Sequence, residues 1–239
     1  MEDSVLKGNI QKNQVLKGYK IFYFDRLEFD ILVREIFEDE EYALELSRPD
    51  PCIIDCGANI GLATLYYKMH YPDAEIFAFE ANPFAFKLLC QNVEENQLTK
   101  VKTVQTALFD RETTLPFSVG KVMGSMGGSL VNRLRNQVNL PLKTTRLSSY
   151  LQDIPRIDLV KMDVEGSEVQ IVKDLKEAGL LHKVERYCIE YHHRTDLTAE
   201  LGAFLHTFEE AGYAYSMGFL RTYGEMQCIQ FNFFRKNNG

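Results

Sequence analysis

The chain is expected to fold as an α/β protein: a mostly parallel sheet with helices on both faces and an antiparallel hairpin at its C-terminal edge. Three observations predict this. From residue 52 onward, short apolar runs alternate with segments of helical period, the rhythm of repeated β-α units. These runs end on acidic residues or glycine turns, where the ligand crevice of an open α/β sheet forms. The last two β-rich runs, 213–217 and 226–234, have no helix between them and so read as a hairpin.

In chain order, the first 17 residues are polar and read as loose. Tyr19 to Val33 alternates aromatic and polar residues, which suggests a hairpin, and Glu35 to Leu46 has the spacing of a helix. Residues 1–46 are therefore expected as an extension packed on a main domain of 47–239. Strand 52–55 leads into helix 61–70, and strand 75–80 into a helix with Asn82 as its N-cap and Pro83 at its first position. Strand 101–105 and a short partner strand near 114–119 follow. A glycine- and methionine-rich stretch, 120–136, interrupts the rhythm and reads as a mobile cover carrying Arg133 and Arg135. Order resumes at Thr144, and strand 157–163 feeds the turn Val164-Glu165-Gly166 and a helix from Ser167 that Gly179 ends. Strand 186–191 and a helix from Thr198 to Gly212 complete the series.

At 239 residues the chain is long enough for a sizeable core, and 45% hydrophobic with 26% charged residues is ordinary for a globular protein. A net charge of −7 argues against a nucleic-acid partner, whose phosphates attract cations. The five cysteines contain no C-x-x-C pair and read as reduced thiols of a cytoplasmic protein. No apolar stretch is long enough to span a membrane. The oligomeric state is not written in the sequence.

The turn Asp55-Cys56-Gly57-Ala58-Asn59-Ile60-Gly61 lies between a strand and a helix, and Glu80 ends the next strand about 20 positions later. An acid at that spacing grips ribose hydroxyls. The turn lacks the G-x-G-x-x-G spacing that crowds a pyrophosphate, and Asp55 would repel one. S-adenosylmethionine carries a ribose, an ammonium and a sulfonium without phosphate, and fits better.

The turn at Asp55, the run Phe79-Glu80-Ala81-Asn82-Pro83 and the segment Leu159-Val160-Lys161-Met162-Asp163-Val164-Glu165-Gly166-Ser167-Glu168 together resemble the FkbM-type S-adenosylmethionine-dependent methyltransferases. The resemblance covers roughly residues 35 to 193. It implies a Rossmann-like class I methyltransferase fold with seven strands and transfer to an oxygen of a small molecule. By motif, Asp55, Gly57, Asn59 and Gly61 would line the methionine end, Glu80 would hold the ribose, and Asp163 would separate cofactor from acceptor. Glu165 and Glu168 match the pattern without an assigned role.

Methyl transfer from a sulfonium is an in-line displacement, so alignment matters most, and a hydroxyl acceptor gains from a base. Glu190 and His192 project to one side of a strand, and His192, with a pKa near neutrality, is the preferred base, oriented by Glu190 or Asp163. Glu165, Arg133 and Arg135 are candidate acceptor contacts. No metal is assigned; a Mg²⁺ site from Asp163, Glu165, Glu190 and His192 is the less favoured arrangement. Phe37, Tyr42, Tyr66 and Phe84 read as core. Two rivals share the fold: a nucleotide-dependent oxidoreductase, and a module that binds the cofactor without turnover.

Overall fold

A computed structural model describes residues 11–119, 138–196 and 200–235. The chain opens with an antiparallel pair, β1 (Lys12–Leu16) and β2 (Tyr19–Tyr23), and helix α1 (Arg26–Val33), which continues as a π-helical turn over Arg34–Glu38. Three β-α-type strands follow, β3 (Cys52–Cys56), β4 (Glu75–Glu80) and β5 (Val101–Gln105), with α2 (Leu62–His70) and α3 (Pro83–Glu95) between them. A small sheet is built from β6 (Ala107–Leu108), β7 (Thr114–Val119) and β8 (Val138–Thr145). After the short helix α4 (Ser148–Leu151) come β9 (Ile157–Met162), α5 (Glu168–Glu177), β10 (Val184–Arg194) and α6 (Leu201–Glu210), then β11 (Tyr213–Tyr223) and β12 (Met226–Arg235).

The main sheet has seven strands in the order β5-β4-β3-β9-β10-β12-β11. The first five are parallel, and β12 and β11 are antiparallel to their neighbours. Strand order reverses between β3 and β9, so the crevice of this sheet opens at their carboxyl ends. Adjacent residues on these two central strands are buried on opposite faces. Ile53 and Leu159 join one core cluster, Ile54 and Val160 the other, all fully buried. Each such side chain contributes about 1.5–3 kcal/mol. Among the described residues no helix is long and apolar enough to cross a membrane.

The N-terminal segment departs from the sequence expectation. The hairpin lies earlier, over 12–23, because its first strand is polar and solvent-facing and carries little hydrophobic signal. The helix runs over 26–38 and begins where Asp25 caps Glu28 N at 3.0 Å; residues 39–51 are irregular. Ile21, Phe29, Ile36 and Tyr42 from this segment share a cluster with Leu65 and Tyr67 of α2. Asn82 caps α3 through Phe84 N with Pro83 in its first turn, as expected. The cover expected at 120–136, with Arg133 and Arg135, lies outside the described residues.

Candidate active site

The turn after β3 is shaped by the protein's own backbone. Gly57 (φ 80°) passes so close to β9 that a Cβ there would lie 1.8 Å from the Asp163 carbonyl oxygen. Its amide and that of Ala58 both donate to the Phe79 carbonyl, at 3.0 and 2.8 Å. Gly61 (φ 93°) enters α2 where a Cβ would lie 2.8 Å from Leu89 Cδ1. The glycines therefore serve close chain packing. Asp55 differs from expectation too. It shares the face of Ile53, beneath α2, where it accepts from Thr64 Oγ1 at 2.8 Å and pairs with Lys161 Nζ at 3.2 Å. Its carboxylate is fully buried and is not part of the cavity wall. Lys161, unforeseen in the sequence, also donates to the Gly57 carbonyl at 2.7 Å. Burial opposes its charge, but Asp55 and Asp163 more than offset this and raise its pKa. The pair thus braces the turn from below.

A cavity of about 350 Å³ opens at the carboxyl ends of β3, β4, β9 and β10. Asn59, Glu80, Asp163, Glu165, Glu190 and His192 line it, bringing together most of the residues singled out by the sequence. Glu80 accepts from the Asn59 and Asn82 amides, each at 2.7 Å. Burial raises its pKa to about 7, against these two hydrogen bonds. A carboxylate has about four acceptor positions, so two remain for a pair of hydroxyls. Asp163 takes the Tyr42 hydroxyl on Oδ2 at 3.0 Å, while its Oδ1, like Asn59 Oδ1 and Asn82 Nδ2, lacks a hydrogen-bond partner among the described residues. Buried polar atoms left this way are what a polar ligand would satisfy. The cavity volume lies within the range for one ligand of cofactor size.

His192 sits in a ring of carboxylates. Its Nδ1 is 3.0 Å from Glu168 Oε1, and its Nε2 is 3.3 Å from Glu190 Oε1 and 3.6 Å from Glu165 Oε2. Burial opposes a charge there, yet Glu165 and Glu168 together hold the imidazole pKa well above 6.5. These carboxylates favour the protonated imidazolium, a form with no lone pair to receive another proton. The raised pKa weighs against the expected role of His192 as the base. Glu168, fully buried at the start of α5, also accepts from Gly166 N at 2.9 Å and so ties the Glu165 turn to the histidine.

Ligand atoms of Asp163, Glu165 and His192, and of Glu190, His192 and Cys228, lie within 4.8 Å of one another. Thiol sulfur suits Mg²⁺ poorly, so of the two groups the one of Asp163, Glu165 and His192 is the better match to a hard cation.

Part of the wall escaped sequence reasoning. Glu35 of the π-helical turn, Tyr42, and Arg221 and Tyr223 of β11 also line the cavity. Arg221 Nη1 lies 3.0 Å from Glu35 Oε1, and its Nη2 pairs with Glu41, joining the N-terminal segment to the C-terminal hairpin. Burial, reinforced by Glu41, Glu190 and Asp163 and opposed by Arg221, raises Glu35 to about 7. Tyr42 is buried as expected of a core residue, yet its hydroxyl fixes Asp163. Glu35 and Arg221 lie 186 positions apart, and only folding shows that they meet.

The sheet order, with one antiparallel strand inserted next to the edge and acids at the strand ends, is the fold of the class I methyltransferases. The sequence profile described as the Methyltransferase FkbM domain matches residues 55–215. The chain belongs to that family of S-adenosylmethionine-dependent methyltransferases. It is 30% identical over 198 residues to methyltransferase sdnD of Sordaria araneosa, covering 69% of this chain and 76% of that one. It is 27% identical to the 31-O-demethyl-FK506 methyltransferase FkbM of Streptomyces tacrolimicus, covering 67% and 74%. The crystal structure of methyltransferase FkbM from Methylobacillus flagellatus shares the fold at TM-score 0.54 and 15% identity, over 85% of this chain and 47% of that one.

Proposed function

We propose that this methyltransferase acts on a hydroxyl oxygen of a small molecule. The observation that carries the reading is the group of carboxylates around the charged His192, beside Asp163, at the end of the cavity away from Glu80. The Streptomyces relative, whose name places its methyl on an oxygen, supports it. The net charge of −7 speaks for a small acceptor over a nucleic acid, and five unpaired cysteines speak for a cytoplasmic setting.

S-adenosylmethionine supplies a methyl on positively charged sulfur, which leaves as a neutral thioether. In this reading Glu80 accepts both ribose hydroxyls, and the Gly57–Asn59 turn with Asn82 borders the adenosyl and methionine parts. Asp163, held by Tyr42, faces the cationic end of the cofactor. Glu190 would accept the proton that an acceptor hydroxyl loses on methylation. His192 holds Glu190 and Glu165 in place and balances their charge. Glu165, Glu35 and Arg221 contact the acceptor.

Incubation with methyl-labelled S-adenosylmethionine and a panel of hydroxylated glycosides, polyketides and hydroxy acids tests this. The expected product is a methyl ether stable to base. Label found only on nitrogen or carbon, or S-adenosylmethionine bound with no transfer to any acceptor, overturns it.

A further inference from the structure

The cavity has room for one ligand of cofactor size, at about 350 Å³ close to the lower end of the range for such sites. With S-adenosylmethionine inside, an acceptor can insert only its reacting end, and its remainder must rest on the rim. The rim has a definite chemistry. On α1, Leu32 lines the cavity, and the flanking face carries Ile31 and, one turn earlier, Leu27, 38% and 71% exposed. Glu35, four positions after Ile31, reaches Arg221 of β11 at 3.0 Å, which brings this face to the hairpin. Across that contact stands Tyr223, a cavity-lining residue that is 61% exposed. Helix and hairpin thus carry apolar side chains outside the cavity, while Glu35, Glu165 and Glu190 place carboxylates among the largely apolar residues of its wall. Exposed apolar surface continuous with a binding cleft is the mark of a docking surface.

We infer that the acceptor is amphipathic: an uncharged hydroxyl-bearing end enters the cavity, and an apolar body lies across Leu27, Ile31 and Tyr223. The inference rests on the O-methyltransferase reading for its reacting group, whereas the rim is read from geometry alone. Carboxylates inside the chamber disfavour an acidic reacting end. The rim supplies affinity for parts of the acceptor that do not react, which raises occupancy of the aligned complex.

The test is calorimetric titration of the protein saturated with S-adenosylhomocysteine, using methyl β-D-glucoside and octyl β-D-glucoside below its micelle-forming concentration. The octyl compound is expected to bind at least tenfold more tightly, a factor that corresponds to about 1.4 kcal/mol. In the Leu27→Ser/Ile31→Ser variant that advantage should fall below threefold with S-adenosylhomocysteine affinity unchanged. Equal binding of the two glucosides, absence of binding by either, or an advantage that survives in the variant overturns the inference. Equal binding is also the outcome if a second copy of the chain or its own terminus covers the rim. A parallel incubation with methyl-labelled S-adenosylmethionine separates the two readings. An octyl advantage lost in the variant, with label never transferred to oxygen, keeps the docking surface and removes the O-methyltransferase assignment.

Discussion

Glu80 and His192 are both held away from their ordinary protonation by burial and neighbours, and each has a measurable consequence. Glu80 titrates at about 7 because burial outweighs the two amides that favour its charged form. With Glu80 as the proposed ribose contact, the hydroxyls would donate to the carboxylate, so binding should favour that form. Cofactor affinity should therefore rise with pH through about 7 and level off above it. In Glu80→Gln the pH dependence should vanish and affinity fall by roughly a hundredfold, about 3 kcal/mol, by calorimetry. Unchanged affinity would remove the ribose assignment. The raised His192 pKa has the opposite reading for catalysis. Its charge stabilises the fold fully below 6.5, and this contribution disappears as pH climbs through the folded-state value. NMR of the His192 ring should show a titration well above 6.5, and a midpoint near 6.5 would restore the histidine as a base. The ribose role of Glu80 was legible from its spacing, whereas the charge of His192 was not. A histidine two residues from a glutamate on a strand looks like a base, and its charge depends on Glu165 and Glu168, which come from a different turn and helix.

At the level of elements, the contrast between two glycines is informative. Gly57 and Gly179 both have positive φ, 80° and 67°, but only Gly57 has backbone where a side chain would go. Gly179→Ala should cost about 1 kcal/mol, the left-handed penalty alone. Gly57→Ala should cost more than about 3 kcal/mol in thermal or denaturant unfolding, since the β3 turn must separate from β9. Equal losses would show that the close approach is not needed. β4 and β5 match their expected bounds to the residue, whereas β7, expected as the partner of β5, pairs with β8 in the small sheet. The central β-α units were legible because their apolar runs and caps are local signals. The N-terminal hairpin and α1 were not. Lys12-Asn13-Gln14 carries no apolar face, and the π-helical turn over Arg34–Glu38 breaks the 3.6-residue spacing at the point where the chain meets the cavity.

At the scale of the molecule, the cavity wall comes from different parts of the chain. Glu80, Asp163, Glu165 and His192 fall inside the stretch shared with the family, 55–215, whereas Glu35, Tyr42, Arg221 and Tyr223 fall outside it. That is why the first group could be read from motifs and the second could not. Arg221 is the joint between the flanks, and its removal leaves Glu35 and Glu41 facing each other partly buried. Arg221→Ala should speed hydrogen exchange over residues 35–46 by about thirtyfold, roughly 2 kcal/mol for a pair only partly shielded from solvent. Exchange unchanged from the wild type would mean that the segment is held by its apolar contacts alone. Glu35 and Glu80 add a pH trend. The fold favours their protonated forms, so the stability they contribute is complete below about 4.5 and is lost as pH rises through about 7.

The Arg221 joint also bears on how such enzymes can be rebuilt. A chimera that imports a new beginning without the matching end would strand an arginine or two glutamates, whereas importing both together keeps the charges matched. Beginning and end thus form one transplantable cassette, and retargeting by domain exchange has to move them as a unit.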